Sequence, residues 1–242
     1  MQHGLKQLIL RGKSILPSLL PQACFLCGAR SVGQQICPDC DADLPRLSRA
    51  CCPQCALPTR DAEVCGDCLR HGPAFDRTLA TYRYAFPLDA LIQQFKYAGI
   101  SQLSAFFAEK MAQRIALEDL TQYPIDYLIP MPLHSSRLAH RGYNQAAEIA
   151  RRLSPQVGVP WLADACQRIR STSSQAGLDL ATRQHNLRGA FSCHFNLQGK
   201  RVALIDDVMT SGSSLNELAE VVRNAGASEI QTWVLARTLA HT

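Results

Sequence analysis

Arg201-Val202-Ala203-Leu204-Ile205-Asp206-Asp207-Val208-Met209-Thr210-Ser211-Gly212-Ser213-Ser214 is the stretch on which the reading of this chain turns. After the arginine its opening residues are apolar without alternation, the pattern of a strand covered on both faces. Leu215–Ala225 follows with Leu215, Leu218, Ala219 and Val222 at helical spacing, and Gly226 closes it. Glu229–Ala236 is a second apolar strand. Strand, helix and strand in this order make a right-handed parallel crossover, so the fold class is α/β with a parallel sheet.

The polar residues of the same stretch fall where the strand over 201–205 ends. Ligands of open α/β sheets bind at the carboxyl ends of strands. Asp206 and Asp207 place two acceptor-only groups there, suited to the hydroxyls of a cis-diol. Thr210, Ser211, Gly212, Ser213 and Ser214 turn into a helix N-terminus, which offers backbone N–H groups and a positive dipole end to a phosphate. Gly212 allows close approach of the backbone, and the hydroxyls add donors. A diol grip followed by a phosphate cradle describes a ribose 5-phosphate. A strand ending in Asp-Asp also occurs in P-loop ATPases, but no G-x-x-x-x-G-K-[ST] is present: Gly199-Lys200 lacks the earlier glycine and is followed by Arg201.

Upstream, 78–84 alternates like a strand and Leu88–Lys96 reads as a short helix after Pro87. Ser101 caps a longer expected helix that runs to about Leu117. Residues 126–130 form a short apolar strand ending on Pro130-Met131-Pro132, and a helix is expected from Asn144 to Leu153. Residues 166–189 begin polar and irregular, then turn helical over Leu180–Leu187.

Nearer the N-terminus lies an internal repeat. Cys24, Cys27, Cys37 and Cys40 give C-x2-C-x9-C-x2-C; Cys52, Cys55, Cys65 and Cys68 repeat that spacing 28 residues later. Few apolar residues separate them, so neither unit builds a core by burial. Thiolates in two CxxC pairs match tetrahedral zinc, with four protein ligands closing each site. Two structural Zn²⁺ ions are therefore expected, with sequential and interleaved ligation both open. Disulfides are the competing use of such cysteines in an oxidising compartment. In the first 20 residues the longest apolar run, Leu8–Leu10, is cut by Arg11 and Lys13, too short for a secretory signal. No stretch approaches the roughly 20 apolar residues of a membrane span. A cytoplasmic, reducing setting is expected, and with it metal. Cys51, Cys166 and Cys193 fall outside the pattern, Cys51 as a spectator and the other two as small apolar residues.

The 242 residues divide on this reading into an N-terminal helical segment (1–20), a cysteine module (21–72) and an α/β domain (75–242). A hydrophobic fraction of 47% excludes a disordered chain, and a net charge of +5 suits an anionic ligand without requiring one.

The thirteen residues Val202–Ser214 resemble the phosphoribosyl pyrophosphate motif of type I phosphoribosyltransferases, with Ser211 and Ser214 where threonines are usual. Residues 128–150, LIPMPLHSSRLAHRGYNQAAEIA, resemble the ComF/GntX family more narrowly. So do LIQQFKYAG over 91–99, Arg170-Ser-Thr172-x-x-Gln175 and Arg183-x-x-Asn186-x-x-x-Ala190-Phe191. The resemblance implies a type I phosphoribosyltransferase fold preceded by a double zinc ribbon, with Asp206 and Asp207 as catalytic residues. It places Met131 and Pro132 on a loop near the pyrophosphate and Thr172–Gln175 on a loop closing over the substrate. Arg137 and Arg141 are candidates to meet the pyrophosphate charge, since guanidinium binds phosphate oxygens in a fixed fork. For Lys96, Arg183 and Arg188 a binding role and a plain solvated charge stand side by side. Phosphoribosyl pyrophosphate with Mg²⁺ is the implied ligand, and imported single-stranded DNA and DNA-uptake proteins are the implied partners. Phe25 and Phe75 are the only aromatics near the ribbon, fewer than a base-stacking platform uses. Active transfer onto a base, unrelated to DNA uptake, is the alternative role.

Overall fold

The computed structural model describes residues 21–118, 121–170 and 189–239. The expected helices at the N-terminus and over Leu180–Leu187, the loop residues Thr172–Gln175, and Arg183, Asn186 and Arg188 lie outside them. The chain forms two compact units, Met1–Leu44 and Pro45–Thr242.

In the first unit a two-stranded antiparallel ribbon, β1 (Pro21–Ala23) and β2 (Arg30–Val32), precedes a short helix α1 (Pro38–Ala42). The second unit opens with the other half of the cysteine repeat and its short helix α2 (Gly66–Arg70). Next come β3 (Arg77–Arg83), α3 (Leu88–Tyr97), α4 (Leu103–Ile115), β4 (Tyr127–Pro130), α5 (Ser135–Arg141) and α6 (Gln145–Val157). The hairpin strands β5 (Cys166–Arg168) and β6 (Phe191–Cys193), then β7 (Arg201–Met209), α7 (Ser213–Asn224) and β8 (Glu229–Arg237), complete it.

Four strands form one sheet in the order β3-β8-β7-β4, every pair parallel. The expected crossover is there: β7 and β8 lie side by side, joined by α7, with Val202 opposite Ile230 and Asp206 opposite Val234. Val202, Leu204, Ile230 and Val234 share a buried cluster with Leu215, Leu218, Ala219 and Val222 of α7. Because side chains alternate along a strand, Ala203 and Ile205 point to the opposite face; α4 and α6 also pack on the sheet and on each other. Burial on both faces is why these strands carry no polar alternation.

Both sheet edges are covered, which removes a template for aggregation. Beside β3, Leu47 donates to the Thr81 carbonyl and Arg83 donates to that of Pro45. Beside β4, Leu128 donates to Pro160 and Leu162 donates to Leu128. Among the described residues no helix is long and apolar enough to cross a membrane.

The structure departs from the sequence expectations in four places, the first being that α4 starts at Leu103 with Gln102, not Ser101, at its N-cap and ends at Ile115. Strand β7 runs on to Met209, so both aspartates lie within it. Residues 135–141 coil into α5, which is capped by His134, whose Nδ1 accepts from the Ser136 N–H. Helix α6 continues to Val157 with Pro155 in its last turn.

Candidate functional site

Two cysteine clusters come first along the chain. Cys24, Cys27, Cys37 and Cys40 gather in one group, and Cys52, Cys55, Cys65 and Cys68 in another, each with its ligand atoms within 4.8 Å of one another. Ligation is thus sequential, one repeat per cluster. The backbone repeats as closely as the spacing. Gly28 and Ala56 both adopt positive φ (71° and 57°), and their N–H groups donate to the carbonyls of Cys24 and Cys52. Cys37 and Cys65 precede α1 and α2 with φ, ψ of −68°, 158° and −70°, 157°.

Zinc fits this geometry. The Cys27–Cys37 and Cys55–Cys65 sulfur separations are both 3.7 Å, far beyond the roughly 2.05 Å of a disulfide. A tetrahedron with Zn–S of about 2.3 Å has edges of about 3.8 Å. The Cys37 N–H donates to Cys24 Sγ at 3.4 Å and the Cys65 N–H to Cys52 Sγ at 3.3 Å. Burial opposes the two thiolates, but backbone donors outweigh it, bringing Cys24 down to about 6 and Cys52 to about 7. These are structural zinc sites. Cys51 stands outside both clusters, its Sγ donating to the Ser48 carbonyl at 3.0 Å. Cys166 is buried, and Cys193 faces it across the hairpin.

The second site is built at the carboxyl ends of β4 and β7. Parallel pairing aligns Pro130 with Ile205, and the Met131 N–H extends the ladder by donating to the Ile205 carbonyl at 2.8 Å. Asn144 then fixes the loop: its Nδ2 donates to the Met131 carbonyl at 3.0 Å, while its Oδ1 accepts the Ala147 N–H and caps α6. Met131, Pro132, Arg137, Arg141, Asp206, Asp207 and Ser214 line a single cleft. Most of the residues expected to hold ribose and pyrophosphate are therefore brought together.

Lys96 and Arg168 line the same cleft. From the last turn of α3, Lys96 Nζ meets Asp207 Oδ1 at 2.9 Å, with both side chains largely buried. Burial disfavours this ammonium, but Asp207, and to a lesser degree Asp206, hold it charged. Arg168, at the end of β5, lies with its guanidinium 5.4 Å from the Phe191 ring centroid on the paired strand. Nothing in the irregular sequence around 166–170 singled it out; a basic pair, Arg168 and Arg170, was the available hint. Arg141 donates to Gln145 Oε1 at 3.1 Å and lies over the Tyr97 ring. Among the described residues, four cations therefore share the cleft with two carboxylates, an excess that favours a polyanion.

The two aspartates differ. Asp206, half-buried, accepts the Asp207 N–H on its Oδ1 at 2.8 Å. Burial first and the Asp207 charge second push it up to about 7, against the opposing pull of Lys96 and Arg168.

Beyond β7 the chain bends into the expected cradle. Gly212, at φ 83°, ψ −4°, is the N-cap of α7. Thr210 is exposed and Ser213 half-buried. Ser211 Oγ lies 2.9 Å from Ser213 Oγ and accepts the Ser213 N–H at 3.3 Å. A Cβ on Gly212 would stand 2.7 Å from Met209 Cε, so this position needs glycine both for its φ and for its packing.

Comparison with known proteins agrees with this division of labour. Residues 15–69 match the double zinc ribbon domain and residues 138–242 the phosphoribosyl transferase domain. The DNA utilization protein YhgH of Escherichia coli K12 is 32% identical over 226 residues, covering 91% of this chain and 99% of that protein. Competence protein F of Haemophilus influenzae is 37% identical over 181 residues, 73% of this chain and 79% of that protein. Competence protein ComFC of Streptococcus pneumoniae is 27% identical over 210 residues, 84% and 87% of the two chains. With relatives of this similarity over most of its length, two four-cysteine clusters and a parallel-sheet domain, the chain belongs to the ComF/GntX family.

Proposed function

We propose that the protein binds phosphoribosyl pyrophosphate with Mg²⁺ in the cleft between α3, β4 and β7, and that it serves DNA uptake in the cytoplasm by handling internalised single-stranded DNA. One observation carries the ligand: among the described residues an Asp-Asp pair and Ser214, in the first turn of α7, share one cleft with the cations Lys96, Arg137, Arg141 and Arg168. Asp206 and Asp207 would accept the ribose hydroxyls. Thr210 to Ser214 would take the 5′-phosphate on backbone and hydroxyl donors. Arg137, Arg141 and Arg168 would meet the pyrophosphate, with the Met131-Pro132 turn setting its position. Mg²⁺, held largely by ligand oxygens and water beside the aspartates, would neutralise charge on the bound pyrophosphate. The protein's own contribution is positioning and electrostatics.

The DNA role is supported by the names of the relatives and by the basic balance of the chain. Fluorescence anisotropy with single-stranded DNA over a salt series tests it. Affinity should fall steeply as salt rises, because phosphate contacts release counterions. No binding at low salt would sink this part of the proposal and leave the ligand standing.

A second reading, active transfer of the phosphoribosyl group onto a base, is favoured by the position of Asp206 near 7. A carboxyl that titrates there can exchange a proton at neutral pH. Pyrophosphate release in the presence of a panel of nucleobases distinguishes an enzyme from a binding protein.

A further inference from the structure

The second cysteine cluster and the phosphate-holding loop share a buried strut. The loop between Cys52 and Cys55 presents three successive carbonyls, and each accepts a hydrogen bond from the sheet. Pro53 O takes the Thr78 N–H at 2.8 Å, Gln54 O takes the Thr78 hydroxyl, and Cys55 O takes Arg237 Nε–H at 2.8 Å. A trans peptide points its N–H and its C=O to opposite sides. Two of these peptides accordingly face both ways: the N–H groups of Gln54 and Cys55 stabilise the Cys52 thiolate while the carbonyls of Pro53 and Gln54 hold β3.

Arg237 extends this linkage across the sheet. It ends β8, is 4% exposed, and turns its Nη1 to carbonyls at the ends of β7 and β8. Its Nη1 donates to the carbonyls of Met209 at 3.1 Å, Thr210, and Thr238 at 2.8 Å. Those first two carbonyls begin the turn whose next residues are Ser211 and Gly212. Cys55 and Cys68 also line, with Ser211, Gly212 and Ser213, a pocket separate from the cleft of Asp206 and Asp207. A buried guanidinium requires a counter-charge. One Zn²⁺ with four thiolates carries a charge of about −2, so the metal cluster supplies what a carboxylate would otherwise provide.

We propose that Arg237 is a positioning residue through which metal occupancy of the Cys52, Cys55, Cys65 and Cys68 cluster sets the conformation of the Thr210–Ser214 loop. This rests on reading that loop as the phosphate cradle only for its consequence, that loss of the second metal weakens ligand binding. The first cluster belongs to the other compact unit and serves as the internal control.

Hydrogen exchange by mass spectrometry on the ligand-free, full-length, zinc-loaded protein tests the coupling. Wild type is compared with Arg237→Lys, Cys65→Ser and Cys27→Ser, with metal content measured alongside. Amides over 209–214 should exchange about tenfold faster or more in Arg237→Lys and Cys65→Ser, the factor expected from one lost buried charge-assisted hydrogen bond. Cys27→Ser should leave them at the wild-type rate, and amides over 202–205 should stay protected throughout. Wild-type exchange over 209–214 in Arg237→Lys or Cys65→Ser would overturn the proposal.

Chelator-driven zinc loss provides a measurement independent of loop exchange and of whether Cys65→Ser folds. Arg237→Lys should release one of its two ions about tenfold faster than wild type and the other at the same rate. Identical release of both ions would overturn the coupling. Neither measurement uses phosphoribosyl pyrophosphate. A wild type that fails to bind that ligand would therefore refute the function proposed above and leave this coupling to be decided by its own data.

Discussion

Replacing Lys96 by methionine removes a charge while keeping most of the stem that the side chain buries. The ammonium lies 2.9 Å from Asp207 Oδ1, and the two side chains are 18% and 9% exposed. At that distance an effective dielectric of about 20 gives an attraction of about 6 kcal/mol. Desolvation of the pair takes back roughly half, so Lys96→Met, which strands Asp207 as a buried unpaired carboxylate, should cost about 3 kcal/mol. Both tryptophans, Trp161 and Trp233, belong to the Pro45–Thr242 unit, so fluorescence during urea unfolding reports on the unit that holds the pair. With a slope of about 2–3 kcal/mol per molar urea, the midpoint should fall by about 1 M. Asp207→Asn in the same background should recover much of the loss, giving a coupling of about 2 kcal/mol in the double-mutant cycle. A loss below about 1 kcal/mol, or a cycle that closes to zero, would show that the pair behaves as a solvated surface contact and refute the reasoning.

Asp206, raised to about 7 by burial and by Asp207, makes stability depend on pH with a defined sign. Its stabilising effect is complete below about 4, where the unfolded chain is also protonated, and disappears as pH rises to about 7. Measured against Asp206→Asn, wild-type stability should therefore decline from about pH 4 to about 7, and a flat difference would contradict the assignment. Gly212→Ala places a methyl at φ 83° and within 2.7 Å of Met209 Cε. The cost of about 1–2 kcal/mol in that backbone region should appear as roughly tenfold weaker ligand binding in calorimetry, with β7 and β8 intact. Elemental analysis should find about two zinc ions per chain and about one in Cys27→Ser, by the four-ligand rule.

How much of this was legible beforehand depended on whether the information was local. The unit β7–α7–β8 was readable because its signals lie within a single stretch: an unbroken apolar strand, a helical apolar face and a glycine at the turn. The cysteine repeat was readable because each CxxC pair takes two ligands from one tight turn, and the 28-residue offset repeats the geometry down to the positive φ of Gly28 and Ala56. That Ala56 adopts this conformation without being glycine could not be read from its identity.

The missing parts are contacts between distant segments. Lys96 stood even between ligand site and solvated charge because nothing near it in sequence shows that α3 ends over Asp207. Arg168 was passed over because its strand, Cys166–Arg168, is three residues long and is defined only by pairing with Phe191–Cys193. The fold brings that hairpin to the cleft from opposite sides of residues 171–188. Arg237 falls just beyond the strand expected over Glu229–Ala236, and nothing marks it until the Cys55, Met209 and Thr210 carbonyls are seen around it. Helix α5 escaped notice for the opposite reason. It is local but only seven residues long and has no buried face, so no apolar periodicity marks it.

The most direct test of the central claim is calorimetric titration of phosphoribosyl pyrophosphate with Mg²⁺ into the wild type and into a variant carrying Asp206→Asn and Asp207→Asn, with folding of the variant checked by circular dichroism. The account predicts saturable binding at one site by the wild type and its loss in the folded variant. Equal binding by both proteins, or none by the wild type, would contradict it.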